Sequence, residues 1–239
     1  LGGLDADQMT LPVLAECLSP TRAPEVRKSA LMAVAIISGR HFDKAIGFNP
    51  ETDSDTPPPP RKALETPTID HPEILAQLRV AAQDQEAVVR HFAAYALANV
   101  SGPDALRQLK SMLQDGDRQA RANAALGLAR NGDSAALPVI LELLTGLSQP
   151  QPPATEKQAD DATDNAASLA AANLRAEQPA LARSCLRAAR DLWIQSSAAE
   201  QDAIQDAVRK LADSTQLLAD IRVQARTFLA AVQTPAASN

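Results

Sequence analysis

Between Leu75 and Leu144 the apolar positions of this chain recur at one fixed interval. Leu75, Leu106 and Leu137 stand 31 residues apart, as do Leu78, Leu109 and Ile140. Polar positions keep the same step, at Asp84 and Asp115 and at Arg90 and Arg121. A period near thirty residues marks a stacked-repeat architecture, in which no unit can bury its apolar face alone. Inside each unit the apolar residues fall three and four apart, the pattern of amphipathic helices, and the alternation expected of strands is nearly absent.

Along the chain this pattern predicts helices over about 4–18 and 24–39, with Pro12 delaying the regular part of the first to about Thr10 and Gly39 closing the second. Helical hairpins follow at 71–84 with 86–100 and at 104–113 with 118–130. A third opens at 135–145. Further helices are expected within 159–177 and over 179–195, 199–212 and 216–232, giving ten or eleven in a single repeat domain. Two stretches break the period and read as insertions. Residues 40–70 hold Asn49-Pro50, an acidic run from Glu51 to Asp55 and four prolines at 57–60, which favour an extended polyproline II rod. Residues 146–158 hold three prolines, and the helices beyond are divergent repeats or a cap.

The second helix of each hairpin carries a shared string. Val89-Arg90 leads to Ala93-Ala94 and Ala96-Leu97; Ala120-Arg121 leads to Ala124-Ala125 and Gly127-Leu128. Val26-Arg27 with Ala30, Ala33 and Val34 keeps the same offsets, and Ile221-Arg222 with Ala225 and Leu229 is a poorer copy. Small residues there let neighbouring helices approach closely. Asp84 and Asp115, six residues before their arginines, stand near the turn entering the helix. There they can accept from helix-start amides and pair with an arginine of their own or the adjacent unit, forming a structural ladder.

These strings resemble the HEAT repeat, in particular the short bacterial variety named after phycobilisome lyases. Ala120-Arg121, Ala124-Ala125, Gly132-Asp133 and Leu137-Pro138 match its pattern, whereas Ser101-Gly102 departs from its Gly-Asp. The resemblance covers roughly residues 72–146 and, less fully, 9–39. It implies an all-α, right-handed α-solenoid of stacked antiparallel helix pairs, a HEAT-like or armadillo-type superhelix whose second helices line the concave side.

Composition narrows the function. Hydrophobic residues make up 45% but aromatics only 3%, as suits closely packed alanine-rich helices. A net charge of −6 argues against a general nucleic-acid binder, whose affinity comes mostly from neutralising phosphates. A DNA-glycosylase role, which uses a basic groove with aromatics, fits no better. Cys17 and Cys185 lie far apart and read as two small thiols, with a disulfide between distant repeats as the weaker alternative. No window of about twenty apolar residues spans a membrane, so the chain reads as a soluble segment. Its Leu-Gly-Gly start leaves open a removed signal or anchor, or a longer solenoid of which this is a piece.

Catalytic constellations are scarce. His41, His71 and His91 have no second ligand at metal spacing, and the paired His-Glu motifs of the iron-binding HEAT enzyme deoxyhypusine hydroxylase have no counterpart. Asp53 and Asp55 lack the glycine and glutamate of a calcium loop. No nucleophile elbow, P-loop or dinucleotide fingerprint occurs. We therefore expect no enzyme, no cofactor and no metal, but a scaffold that binds a protein partner on its second helices. Candidate contacts lie away from the Val89–Ala93–Ala96–Val100 stripe: His91, Tyr95 and Asn99, then Asn123 and Arg130, with Lys28 and Met32 in the first repeat. The competing reading is that these positions are simply solvated. Trp193 is assigned to the C-terminal core. The alternative function is a lyase-like or enzyme-accessory protein holding a small molecule in its groove. The Pro-rich insertion is expected to dock on a partner or to cover part of that groove.

Overall fold

A computed structural model of the chain describes residues 6–45, 62–149 and 162–233, with side chains at 6–8, 162–177 and 233 excepted. The acidic run, the four prolines and most of the second insertion therefore lie outside the described residues. The elements are α1 (Ala6–Cys17), α2 (Pro24–Ala45), α3 (Pro72–Ala81), α4 (Ala87–Val100), α5 (Gly102–Met112), α6 (Arg118–Arg130), a 3-10 turn at Ser134–Ala136, α7 (Leu137–Ser148), α8 (Ala162–Trp193), α9 (Ala198–Asp213) and α10 (Ala219–Gln233). The described residues are all-helical, and from α1 to α6 successive helices pair into a helical solenoid. None of these helices is long and apolar enough to cross a membrane.

Several boundaries differ from the sequence reading, among them the end of α7, which passes Gly146 to Ser148. Helix α1 begins at Ala6 with Pro12 inside it, where the exposed proline leaves its forfeited bond open to water. Helix α2 runs past Gly39 to Ala45 because Phe42, one turn on, is fully buried. Gly39 is there for closeness: a Cβ on it would sit 3.3 Å from the Asn99 side-chain oxygen. Helix α8 continues through Pro179, since extending a formed helix past one lost hydrogen bond avoids a second costly nucleation.

Chain contacts divide the protein into two compact units, Leu1–Val139 and Ile140–Asn239, where the sequence reads one repeat domain. In the first, α2, α4 and α6 pack side by side as one layer. Helix α1 lies against α2 and α3, α3 against α4, and α5 against both α4 and α6. The repeating leucines fill the space between the layers: Leu78 and Leu109 are fully buried, with Leu31, Val34, Ile74, Val89 and Leu128. Where α4 meets α6 the approach is limited by backbone. A Cβ on Gly127 would stand 2.6 Å from the Ala98 Cβ, so only glycine fits without moving a helix. In the second unit α10 packs on α9 and α8, around Cys185, Leu192, Ile204, Val208 and Ile221. Helix α9 starts with a capping box in which the Ser197 amide and hydroxyl donate to Glu200, holding that carboxyl below its usual range. Trp193 is half-buried, edge-on to Phe228 at 5.8 Å.

The expected Asp–Arg ladder is present, and each arginine serves two units. Arg90 donates through Nε and Nη2 to both carboxylate oxygens of Asp115, at 2.8 and 2.9 Å. Its Nη1 turns back to its own hairpin and donates to the Asp84 and Gln85 carbonyls. Arg27 likewise pairs with Asp84 of the next hairpin while its Nε reaches the Arg22 carbonyl. Arg121 donates to the Asp115 and Gly116 carbonyls of its own turn. Each aspartate also accepts from the amide two residues on, Glu86 or Asp117. The Arg90 bond, helped by the Asp117 amide and opposed by burial, holds the Asp115 carboxyl below its usual value and raises the guanidinium.

At the other end of the hairpins a second set of bonds ties the chain together. Asn131, almost fully buried, donates to the Ala98 and Gly127 carbonyls, and its oxygen accepts from the Ser101 hydroxyl. Ser101 accepts in turn from the Leu64 amide. Thr68 adds its amide to the Val100 carbonyl and its hydroxyl to that of Asn99, and its own carbonyl meets His41 Nδ1 at 2.9 Å. The chain returning from the first insertion is thus stitched to the end of α4. His71 is likewise occupied, capping α3.

Two outcomes follow from this packing. Gly127→Ala gains helix propensity yet forces α4 and α6 apart, so chemical denaturation should show a net loss of about 1–3 kcal/mol. Asp115→Ala strands the Arg90 guanidinium and should lower stability by about 2–4 kcal/mol at neutral pH. Because the folded carboxyl titrates below its unfolded value, its contribution is complete above about pH 4 and is lost as the pH falls through the depressed value. The gap between wild type and variant should therefore narrow only in acid.

Candidate partner-binding face

Aligning the second helices on Arg27, Arg90 and Arg121 places equivalent positions side by side. The row one turn and a half beyond each arginine reads Met32, Tyr95 and Leu126. Tyr95 is 42% exposed, and Met32 and Leu126 are half-buried. Three apolar side chains thus lie across α2, α4 and α6 on the side away from the leucine core. Ile36, one turn beyond Met32, adds a fourth at 49% exposure.

The sequence-predicted contacts divide into two groups. Lys28 and Met32 on α2 and His91 and Tyr95 on α4 are exposed or half-buried, and they flank Phe92. The Lys28 ammonium stands 5.7 Å from the Phe92 ring centroid and the His91 ring 4.5 Å from it. The other three are spent on holding the layer together. Asn99 was placed outside the core stripe by its spacing, but it is 2% exposed, a correction with a clear cause. Helix α6, the Gly39 contact and the returning Thr68 segment all cover it. Its amide donates to the Tyr95 carbonyl at 2.8 Å and its oxygen accepts from Arg130. Arg130 also stands 3.8 Å from Asp43 and packs its guanidinium over the Phe42 ring at 5.3 Å. Asn123 donates to the His91 carbonyl one helix away. These three are braces between neighbouring second helices.

Leu126 and Ile36 escaped the sequence reading. Leu126 was hidden inside the run Ala125–Leu128, where it passes for core. The available signal was the period itself, since Leu126 follows Tyr95 by the same 31 residues. Ile36 was absorbed into an apolar helix whose buried side is in fact Arg27, Ala30, Leu31, Val34, Ala35, Ser38 and Phe42.

A cavity of about 250 Å³ opens elsewhere in the same unit, where the return segment, α3, the end of α4 and the start of α5 meet. Leu75, Leu97, Val100 and Ala105 line it, with Arg79 and Asp104 at its edge. None of the seven predicted contacts belongs to it. Among the described residues no cluster of three His, Cys, Asp or Glu side chains could hold a metal ion.

Comparison with known proteins bears on the repeats. The family described as HEAT repeats matches residues 62–120, and the PBS lyase HEAT-like repeat matches residues 120–146. Among solved structures the chain is similar to human deoxyhypusine hydroxylase in complex with glycerol, at 18% identity over 95% of this chain and 75% of that one, with a TM-score of 0.36. It is also similar to an engineered protein, at 18% identity over 94% and 96%, with a TM-score of 0.34. No curated protein matches the chain in sequence.

The two groups of residues should separate experimentally. Asn99→Ala removes bonds to Tyr95 and Arg130 and should lower stability by about 1–3 kcal/mol in a denaturant titration. Tyr95→Ala, at an exposed helical position, should change it by no more than about 0.5 kcal/mol.

Proposed function

We propose that this chain, which is a HEAT-repeat protein, is a non-catalytic scaffold that binds a protein partner along the side of α2, α4 and α6 that faces away from the leucine core. The observation that carries this reading is the row Met32, Tyr95 and Leu126, side chains at one repeat position of which Tyr95 is exposed and the other two half-buried. Apolar and aromatic side chains surrounded by polar neighbours are typical anchors of protein interfaces. The helices bearing them are braced on both sides, by Asn99, Asn123 and Arg130 between neighbours and by the Asp–Arg ladder at the turns. A preformed face loses little freedom on binding, which favours affinity without any rearrangement. The overall charge of −6 speaks for a protein partner over nucleic acid.

A second reading, an accessory protein that holds a small molecule, draws on the cavity beside Leu75 and Leu97. Its volume of about 250 Å³ falls under the range usual for small-molecule sites, and its walls offer few convergent polar groups. The scaffold reading is the better supported.

The test uses the whole chain as bait for extract of its native cell, beside a Met32→Ser/Tyr95→Ala double variant and a Leu97→Ala cavity variant. Loss of the recovered partners from the face variant alone, with its melting temperature unchanged, is the expected result. Undiminished recovery by the face variant would refute the proposal, and loss from the cavity variant alone would favour the accessory reading.

A further inference from the structure

We infer that the partner segment is acidic: an amphipathic stretch of a second protein that sets apolar side chains on Met32 and Ile36 and carboxylates on Lys28 and Arg40. This rests on the reading of the α2, α4 and α6 face as a binding surface and specifies what binds there. Lys28, Met32, Ile36 and Arg40 follow one another at four-residue intervals, so α2 presents a single strip of cation, two apolar residues and cation. Ile36 and Arg40 are exposed, Lys28 and Met32 half-buried. Tyr95 holds on α4 the repeat position that Met32 holds on α2, and it is exposed.

The charges at its two ends, with Lys44 one turn further along α2, set the sign of the site. The arginines of the ladder are matched to carboxylates, Arg27 with Asp84 and Arg90 with Asp115, and Lys110 meets Asp133 at 2.8 Å. Lys28 and Arg40 pair with no carboxylate among the described residues. Lys28 is instead half-buried against the Phe92 ring, which holds its ammonium at a fixed place beside the apolar row. The acids of α2 are Glu25, in its first turn, and Asp43, which lies beside Arg130. The protein as a whole is negative, so an uncompensated pair of cations around exposed apolar side chains is a local reversal of its charge. Complementarity then selects a partner of negative sign and repels a basic one. Twelve residues of helix separate the two cations, roughly 18 Å, which sets the spacing of the partner's carboxylates.

The test is a selection of 16-residue random peptides displayed on phage against the full chain, followed by fluorescence anisotropy with the winning peptides at low salt. The expected winners carry apolar pairs flanked by Asp or Glu. Tyr95→Ala should weaken them by about 10-fold and Lys28→Glu/Arg40→Glu by about 100-fold, with melting temperatures unchanged. Replacing the peptide's flanking acids by lysine should restore part of its binding to the double variant. Winners that are neutral or basic yet still depend on Tyr95 would overturn the acidic partner and leave the binding face standing. Winners indifferent to every face variant, or no winner at all, would overturn both. A labelled dT20 oligonucleotide bound more tightly than the best peptide would replace the acidic protein segment with a nucleic acid.

Discussion

The bidentate bond between Arg90 and Asp115 joins two decisions that a repeat protein must otherwise make separately. One is how each hairpin turns, and the other is how it docks on its neighbour. Arg90 binds the carbonyls of its own turn with one nitrogen and the carboxylate of the next turn with the other two. Turn geometry in one unit is therefore coupled to the position of the following one. Only a planar guanidinium with a fixed fork of donors can satisfy both sides at once, and a lysine could not replace it. Partly buried ion pairs are weak stabilisers on balance, because desolvation offsets their attraction. What they enforce is register. A slip between hairpins would leave the carboxylate and guanidinium unmatched in a poorly solvated place, a state costing several kcal/mol. Arg27 with Asp84 repeats the device one step earlier, so the first three hairpins are indexed to one another along their turns.

The opposite ends of the hairpins solve the same problem with neutral groups. Ser101 occupies the place where the next repeat has Gly132, and both have a positive φ, 59° and 72°. For serine this conformation is strained, and it persists because its hydroxyl is bound on both sides, by the Leu64 amide and Asn131. The departure from the repeat pattern is thus explained by the inserted stretch. Where a unit must receive chain returning from elsewhere, a hydroxyl is more useful than the conformational ease of glycine. Thr68 and His41 complete the attachment, so the break in the period at 40–70 ends at a defined anchor on α4.

Much of this was legible in the sequence because repetition makes structural residues conspicuous. The leucines, the small residues of the second helices and the Asp–Arg spacing recur, and the structure uses them as core, close contact and ladder. Less legible was anything set by a single tertiary neighbour. The spacing of Asn99 puts it outside its own helix's core stripe, yet burial depends on α6 and the Thr68 segment, which helical periodicity does not represent. Gly39 and Pro179 carry the usual punctuation of a helix end, and both helices continue. In the first case a buried Phe42 outweighs the glycine; in the second, an already formed helix outweighs one missing amide. Leu126 shows the converse difficulty. An apolar residue inside an alanine-rich helix has the look of core, although its register with exposed Tyr95 places it on the face.

These corrections bear directly on where function resides. When Asn99, Asn123 and Arg130 are removed from the set of open residues, most of the polar character assigned to the face goes with them. What remains is simpler: an apolar row, an aromatic that packs a lysine, and a second cation one turn beyond Ile36. Net charge describes the whole chain and governs its non-specific encounters, but it says nothing about a strip of one helix. Here the ladder consumes carboxylates where arginines are structural, and the cations left on α2 have none to meet among the described residues. Lys28 and Arg40 therefore bracket exposed apolar side chains with positive charge on a protein whose net charge is negative.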